Sequence, residues 1–130
     1  MSITYQRGTD GINEKQLRGF FVGWPEPPDS ARHLEILNGS SICILALDAQ
    51  SEQVVGFTTA ISDGSFAAYI PLLEVLPDYQ GKQIGSELVR GMLAERDGHY
   101  MIDVVCDEDV QPFYERFGFQ RWSAMIYRRR

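Results

Sequence analysis

The sequence predicts an α/β (α+β) fold in which a mixed, mostly antiparallel sheet carries helices on its faces. Three observations predict it. Strand-like runs from Ser41 to Leu47, Gln53 to Ile61 and Phe66 to Leu76 follow one another across short polar turns, the spacing of an antiparallel meander. From Ile84 the apolar period changes, and Ile84, Leu88, Val89, Met92 and Leu93 form a stripe at helical spacing. A further apolar run, Tyr100 to Cys106, follows that helix, so the strands on either side of it are joined by a β-α-β crossover and pair in parallel.

Two helices are expected before the meander, and no strand. Asn13 caps the first, whose Leu17, Phe20 and Phe21 share one face, and Gly23 closes it. The segment Trp24-Pro25-Glu26-Pro27-Pro28-Asp29 holds half of the six prolines and cannot be helical. Ser30 caps a second short helix with Leu34, Ile36 and Leu37, ended by Asn38-Gly39. After the meander, the Ile84 helix stops at Asp97-Gly98, and Tyr100 to Cys106 reads as a strand covered on both faces. Val110, Phe113, Tyr114 and Phe117 mark a late helix closed by Gly118; with Asp109 as its N-cap, Pro112 falls in the first turn, where a missing N–H costs nothing. Gln120 to Tyr127 supplies a last strand, and Arg128 to Arg130 a solvated end.

A chain of 130 residues with 44% hydrophobic content builds one core, hence one domain over residues 1–130. The net charge of −6 argues against nucleic acid, which demands a basic surface, and would draw a cationic amine; mild acidity is equally an ordinary solubility device. Cys43 and Cys106 lie in apolar runs and read as reduced core thiols; with His33 and His99 they offer no metal-ligand spacing, so no metal is expected. No stretch approaches the roughly 20 apolar residues that span a bilayer, and no leader pattern opens the chain. A cytoplasmic protein with no membrane partner is the default expectation, and the oligomeric state, a homodimer included, stays open.

The chemistry concentrates between Leu73 and Ser86. There a strand passes through Gln80-Gly81-Lys82-Gln83 into the first turn of the Ile84 helix. Backbone N–H groups at a helix N-terminus lack intrahelical partners and carry the positive end of the macrodipole, so such a loop receives a phosphate. Lys82 adds a cation, and Gly81 and Gly85 allow close backbone approach. The loop is neither a Walker sequence nor a Rossmann fingerprint, and the same two glycines would equally shape a tight strand-to-helix turn.

Val75-Leu76-Pro77-Asp78-Tyr79-Gln80-Gly81-Lys82-Gln83-Ile84-Gly85-Ser86-Glu87-Leu88 resembles the acetyl-CoA-binding motif of the GNAT superfamily of N-acetyltransferases, written Gln or Arg, two residues, Gly, one residue, Gly or Ala. Gln80 and Gly85 match; Gln83 stands where the first Gly belongs. Phe113-Tyr114-Glu115-Arg116-Phe117-Gly118-Phe119 is similar to the family's late-helix motif, about thirty residues downstream. The resemblance implies a V-shaped splay between two central parallel strands. It implies that the pantetheine of acetyl-CoA bonds to Leu73 and Val75 backbone groups, with the pyrophosphate on Gln80, Gly81, Lys82, Gln83, Ile84, Gly85 and Ser86. The acetyl group would pass directly to a primary amine of a small molecule or peptide. The alternative is a non-catalytic acyl-CoA-binding or regulatory module of the same fold.

By its position in the motif, Tyr114 is the residue that protonates the departing thiolate. Packing beside Phe113 and Phe117 as core is the competing explanation. Glu74, an acid in an otherwise apolar strand, is the candidate base. A carboxylate near about 4.3 facing an ammonium near about 10.4 leaves roughly 8 kcal/mol to bridge, so burial, a water relay or a lowered amine pKa would have to help. Asp103 is a second candidate. Asp107 stands where relatives carry an Asn that touches the cofactor, and with Asp109 it is better suited to cap the next helix. Trp24, in the proline-rich loop, and Tyr69 are the candidate walls of an acceptor pocket, while Asp63 serves its turn.

Overall fold

A computed structural model describes residues 2–129. Five strands form one sheet in the order β1-β2-β3-β4-β5: β1 (Ile3–Arg7), β2 (Ile42–Asp48), β3 (Val54–Ser62), β4 (Ala67–Val75) and β5 (Met101–Val104). The first four pair antiparallel, and β5 pairs parallel to β4. Three α-helices, α1 (Ser30–Gly39), α2 (Ile84–Leu93) and α3 (Gln111–Glu115), accompany it. The meander and the crossover therefore form where the periodicity placed them, while α2 stops at Leu93, short of the expected Asp97-Gly98, which fall in a separate 3₁₀ turn.

The sheet is sandwiched. On one face Phe57 of β3 meets Phe20, Phe21 and the ring of His33 from α1, with centroids 4.4–6.0 Å apart. On the other, α2 lies so close that a Cβ at Gly56 would stand 3.1 Å from Ile84 and 3.3 Å from Leu88. β3 is accordingly buried from Val54 to Ala60, covered on both sides.

Four expectations are corrected. A strand, β1, precedes the helices; it is an edge strand whose Ile3 alone of its residues packs on the core, too sparse a pattern to register as alternation. The helix expected over Leu17 to Phe21 is a single 3₁₀ turn, Glu14–Leu17, with a capping box between Asn13 and Gln16; Phe20 and Phe21 are buried from an irregular segment in which Gly19 and Phe21 take positive φ. β5 is not covered on both faces: its residues alternate exposed and half-buried. Finally, residues 120–129 form no strand, so the parallel pair sits at one edge of the sheet instead of its centre. Of the expected arginine end, Arg128 and Arg129 are exposed, and Arg130 lies outside the described residues. Smaller shifts affect the caps: Asp29, not Ser30, caps α1 through a bond from the Arg32 N–H, and Val110 stands at the N-cap of α3 with Pro112 in its first turn.

Candidate functional site

The ladder between β3 and β4 prepares the site. Leu76 N–H donates to Val55 O at 2.9 Å, and bonded pairs alternate in an antiparallel ladder. By the observed register the bonded pairs are Phe57 with Glu74 and Thr59 with Leu72, which leaves Leu73 and Val75 directing their N–H and C=O away from β3. On that side β5 is missing. Its pairing with β4 runs from Ala67 to Ile70 and stops before Pro71, which has no N–H to offer a ladder. A register shift in the β3–β4 ladder between Thr59 and Ile61 bends the strand at the same level. The strands therefore splay, and the backbone of Leu73 and Val75 faces the gap.

Beyond Val75 the chain makes a 3₁₀ turn, Pro77–Tyr79, pinned by the Tyr79 hydroxyl donating to Asp48 at 2.8 Å. Gln80 folds back to donate its side-chain amide to Val75 O at 3.1 Å. Gly81 and Gln83 both take positive φ, +77° and +68°. Gln83 is the N-cap of α2 and its side chain makes no cap bond, so the N–H groups of the first turn stay available. The left-handed backbone at Gln83 is the physical reason a glycine suits this position.

These elements close on a cleft of about 510 Å³ lined by Leu73, Glu74, Val75, Tyr79, Gln80, Gly81, Gln83, Ile84, Gly85, Ser86, Val110, Phe113 and Arg116. Eight of the nine residues expected to hold the cofactor line it; Lys82 is exposed and does not. Gly85 keeps the cleft open at its waist, since a Cβ there would meet the Phe113 ring at 3.6 Å and Val75 at 3.9 Å. Arg116 was missed from sequence. Its guanidinium lies 5.8 Å from the Phe113 ring centroid and 5.6 Å from Phe117, and it makes no ion pair among the described residues. The signal was present: on a helix, Arg116 lies three residues after Phe113 and so on its face.

Glu74 also lines this cleft, but both its oxygens are engaged. Oε1 accepts the Phe21 N–H at 2.8 Å and Oε2 the Val22 N–H at 3.3 Å. Phe21 has φ +64°, so the carboxylate steadies a backbone turn that a side chain disfavours. That turn leads to Trp24, half-exposed and edge-on to Phe21 at 5.0 Å. Trp24 lines neither large cavity.

Tyr114 lies elsewhere. It is 5% exposed, packs edge-on to Phe113 and Phe119, and lines a second, larger groove of about 910 Å³ along β5 together with Tyr69, Asp103 and Cys106. Burial, and to a lesser degree the neighbouring Cys106 thiol, pushes its hydroxyl up to about 12. The structure thus gathers eight of the nine residues expected to hold a cofactor in one cleft, places Tyr114 and Tyr69 in the adjoining groove, and sets Trp24 apart from both. Asp63 accepts from the N–H groups of Ser65, Phe66 and Ala67 and serves its turn. Asp107 stands at the N-cap of a 3₁₀ turn without a side-chain bond. Cys43 and Cys106 are both free thiols; Cys43 is buried and Cys106 half-buried. Among the described residues no helix is long and apolar enough to cross a membrane, and no group of three or more His, Cys, Asp or Glu could hold a metal ion.

A sheet opened between parallel strands, with an uncovered helix N-terminus at the opening, is the architecture of an acetyltransferase. It superposes with a TM-score of 0.94 on the crystal structure of a putative acetyltransferase from Deinococcus radiodurans R1, 46% identical, over 98% of this chain and 88% of that one. A GNAT family acetyltransferase from Streptococcus pneumoniae TIGR4 is 27% identical with a TM-score of 0.78, over 99% of both chains. Residues 38–121 match the acetyltransferase (GNAT) domain, and the chain belongs to that family. An uncharacterized N-acetyltransferase, ycf52, of Pyropia yezoensis is 32% identical over 102 residues, 75% of this chain and 58% of that protein; the chain therefore spans less than two thirds of that relative's length.

Proposed function

We propose that this chain transfers the acetyl group of acetyl-CoA to a primary amine by direct attack. The observation that supports it is the convergence, in one cleft, of the Leu73 and Val75 backbone, turned away from β3 and met there by no strand among the described residues, and the free first turn of α2. An extended amide chain can add to the former as a strand, and a pyrophosphate can settle on the latter. The cleft fits such a cosubstrate: Gly85 leaves it open, and Arg116 adds a cation at its wall, with Lys82 nearby in solvent.

When bound, acetyl-CoA supplies an activated acyl carbon and a thiolate leaving group. Val75 and Leu73 orient it through their backbone. Tyr114 keeps its proton throughout the neutral range, since burial holds it near about 12. Full transfer to a thiolate of Cys-like basicity, near about 8.5, would run uphill by roughly 5 kcal/mol at about 1.36 per unit. Tyr114 therefore acts as a hydrogen-bond donor to the departing sulfur, with solvent completing the protonation. Glu74 is assigned a positioning part, holding the Phe21–Val22 turn through its two N–H groups, and the amine sheds its proton to water. The chain's acidity draws cationic acceptors, small-molecule or peptide.

Calorimetry with acetyl-CoA, followed by thiol release against a panel of amines, tests the proposal. Saturable binding and amine-dependent release are expected, and Tyr114→Phe should lower kcat by about 10²-fold while leaving acetyl-CoA affinity unchanged. Absent binding, or full turnover in Tyr114→Phe, overturns the respective part. Binding without thiol release from any amine would favour the non-catalytic module.

A further inference from the structure

A row of side chains just beyond the splay is left without the packing its neighbours have. Ile61 of β3 pairs with Tyr69 of β4, and Tyr69 pairs with Asp103 of β5, so the three stand side by side across the sheet on one face. From Thr59 to Ile61 β3 advances two residues while β4 advances three, from Leu72 to Tyr69, so alternation along β3 keeps this row on the face that carries Phe57 and Glu74. On the opposite face of β5, Ile102 and Val104 pack on the core. No such packing covers the row. Ile61 is 58% exposed and Tyr69 37%, and the exposed Asp103 carboxylate makes no hydrogen bond or ion pair among the described residues.

A lone carboxylate beside an aromatic ring on an apolar sheet face suits an ammonium ion. Neighbouring strands lie about 4.7–4.9 Å apart, so one ammonium can take its counter-charge from Asp103 and still touch the Tyr69 ring. Ile61, and Met101 two residues before Asp103 and 37% exposed, offer apolar surface to a methylene chain.

The position of the row says which nitrogen it holds. With the pyrophosphate on the first turn of α2 and the pantetheine along Val75 and Leu73, the acyl end of the cosubstrate points toward Pro71, where β4 and β5 part. Tyr69 lies two residues beyond Pro71, about 7 Å away at about 3.3 Å per residue, a span bridged by about four to six methylenes. Tyr114, the donor to the departing sulfur, lines the same groove as Tyr69 and Asp103. An ammonium at Asp103 is thus a second nitrogen of the acceptor, since the attacking one must be neutral.

We propose that the acceptor is a linear aliphatic diamine, one ammonium held by Asp103 against Tyr69 while the other nitrogen attacks the acetyl carbon. The attacking nitrogen loses one proton to water before attack and a second as the N–C bond forms and the C–S bond breaks; the thiolate takes a proton from solvent. A net charge of −6 favours a dication over a monocation. The inference rests on the acetyl-transfer reading for the direction of the cosubstrate.

Thiol release with 1,5-diaminopentane and with 1-aminopentane, matched in length, tests it. kcat/KM for the diamine should exceed that for the monoamine about tenfold, and 1,3-diaminopropane, too short for the span, should lose that advantage. Asp103→Asn should bring the ratio to about one, chiefly through KM, and Tyr69→Leu should lower it about threefold. A ratio near one in the native chain, or one that Asp103→Asn leaves unmoved, overturns the proposal. An equal fall in kcat for both amines in Asp103→Asn makes that residue the base and overturns it as well. Calorimetry with 1,5-diaminopentane, CoA present, reads the subsite without turnover. Saturable binding that Asp103→Asn weakens about tenfold is expected, and no binding overturns the subsite. Such binding without thiol release from any amine faults the acetyl-transfer reading and upholds the subsite.

Discussion

Replacing Gln83 with glycine should stabilise the protein. Gln83 holds φ +68° and ψ 12° at the N-cap of α2. A non-glycine residue in the left-handed region costs roughly 1–2 kcal/mol. Glycine removes that cost but returns about 0.5–1 kcal/mol through the greater freedom of its unfolded chain. Nothing else is lost, because the Gln83 side chain is exposed and makes no capping bond. The net gain is about 0.5–1 kcal/mol, or about 2–4 °C in Tm for a chain of this size. Urea unfolding with an unchanged m-value, beside a thermal melt, measures it. The N–H donors of the loop survive the change, so acetyl-CoA should bind at least as tightly. A loss of stability beyond about 0.5 kcal/mol, or weaker binding, would refute the reasoning, because the side chain would then be contributing a contact that outweighs the strain of its backbone.

Three more outcomes are expected. His33 is 1% exposed with both ring nitrogens unpartnered, and burial pulls it down to about 4. Unfolded, it takes a proton near 6.5, so stability falls as pH drops from 6.5 toward 4, by about 3 kcal/mol at about 1.36 per unit. His33→Leu should lack that component, and parallel pH curves for the two proteins would disprove it. Gly56→Ala should push α2 off the sheet, costing about 1–3 kcal/mol and weakening acetyl-CoA binding through the displaced helix terminus, as urea midpoints and calorimetry will show. Glu74→Gln keeps an acceptor for Phe21 but offers the Val22 N–H none, so it should cost about 1–2 kcal/mol and raise KM for the amine with kcat within tenfold. A hundredfold fall in kcat that also removes the acid limb of the pH–rate profile would instead make Glu74 the base.

The sequence was most legible where one strong period governs one element. The stripe from Ile84 to Leu93 can only be a buried helix face, and the turns at Asp48 to Glu52 and Ser62 to Ser65 can only return the chain. From these the meander and crossover follow, and with them the convergence of Leu73, Val75 and the α2 terminus. Pairings decided by tertiary contact were not legible. Glu74 sits among apolar residues as a base would, yet its oxygens are taken by the backbone of Phe21 and Val22, more than fifty residues away. Tyr114 has the expected place in the chain, but burial, with the Cys106 thiol beside it, pushes its hydroxyl up, and neither neighbour is legible from the motif.

The failure of the last predicted strand has a different physical character. β1 was overlooked although it pairs along its length, because a single packed residue, Ile3, leaves little trace in the sequence. Residues 120–127 have the composition of a strand, because Trp122, Ile126 and Tyr127 carry strong strand propensity, yet among the described residues they join no ladder. Propensity reports what a segment will do once an edge is supplied; it does not say which molecule supplies the edge. Among the described residues the outer edge of β5 has no strand partner, and this segment lines the groove along β5 only as far as Ala124.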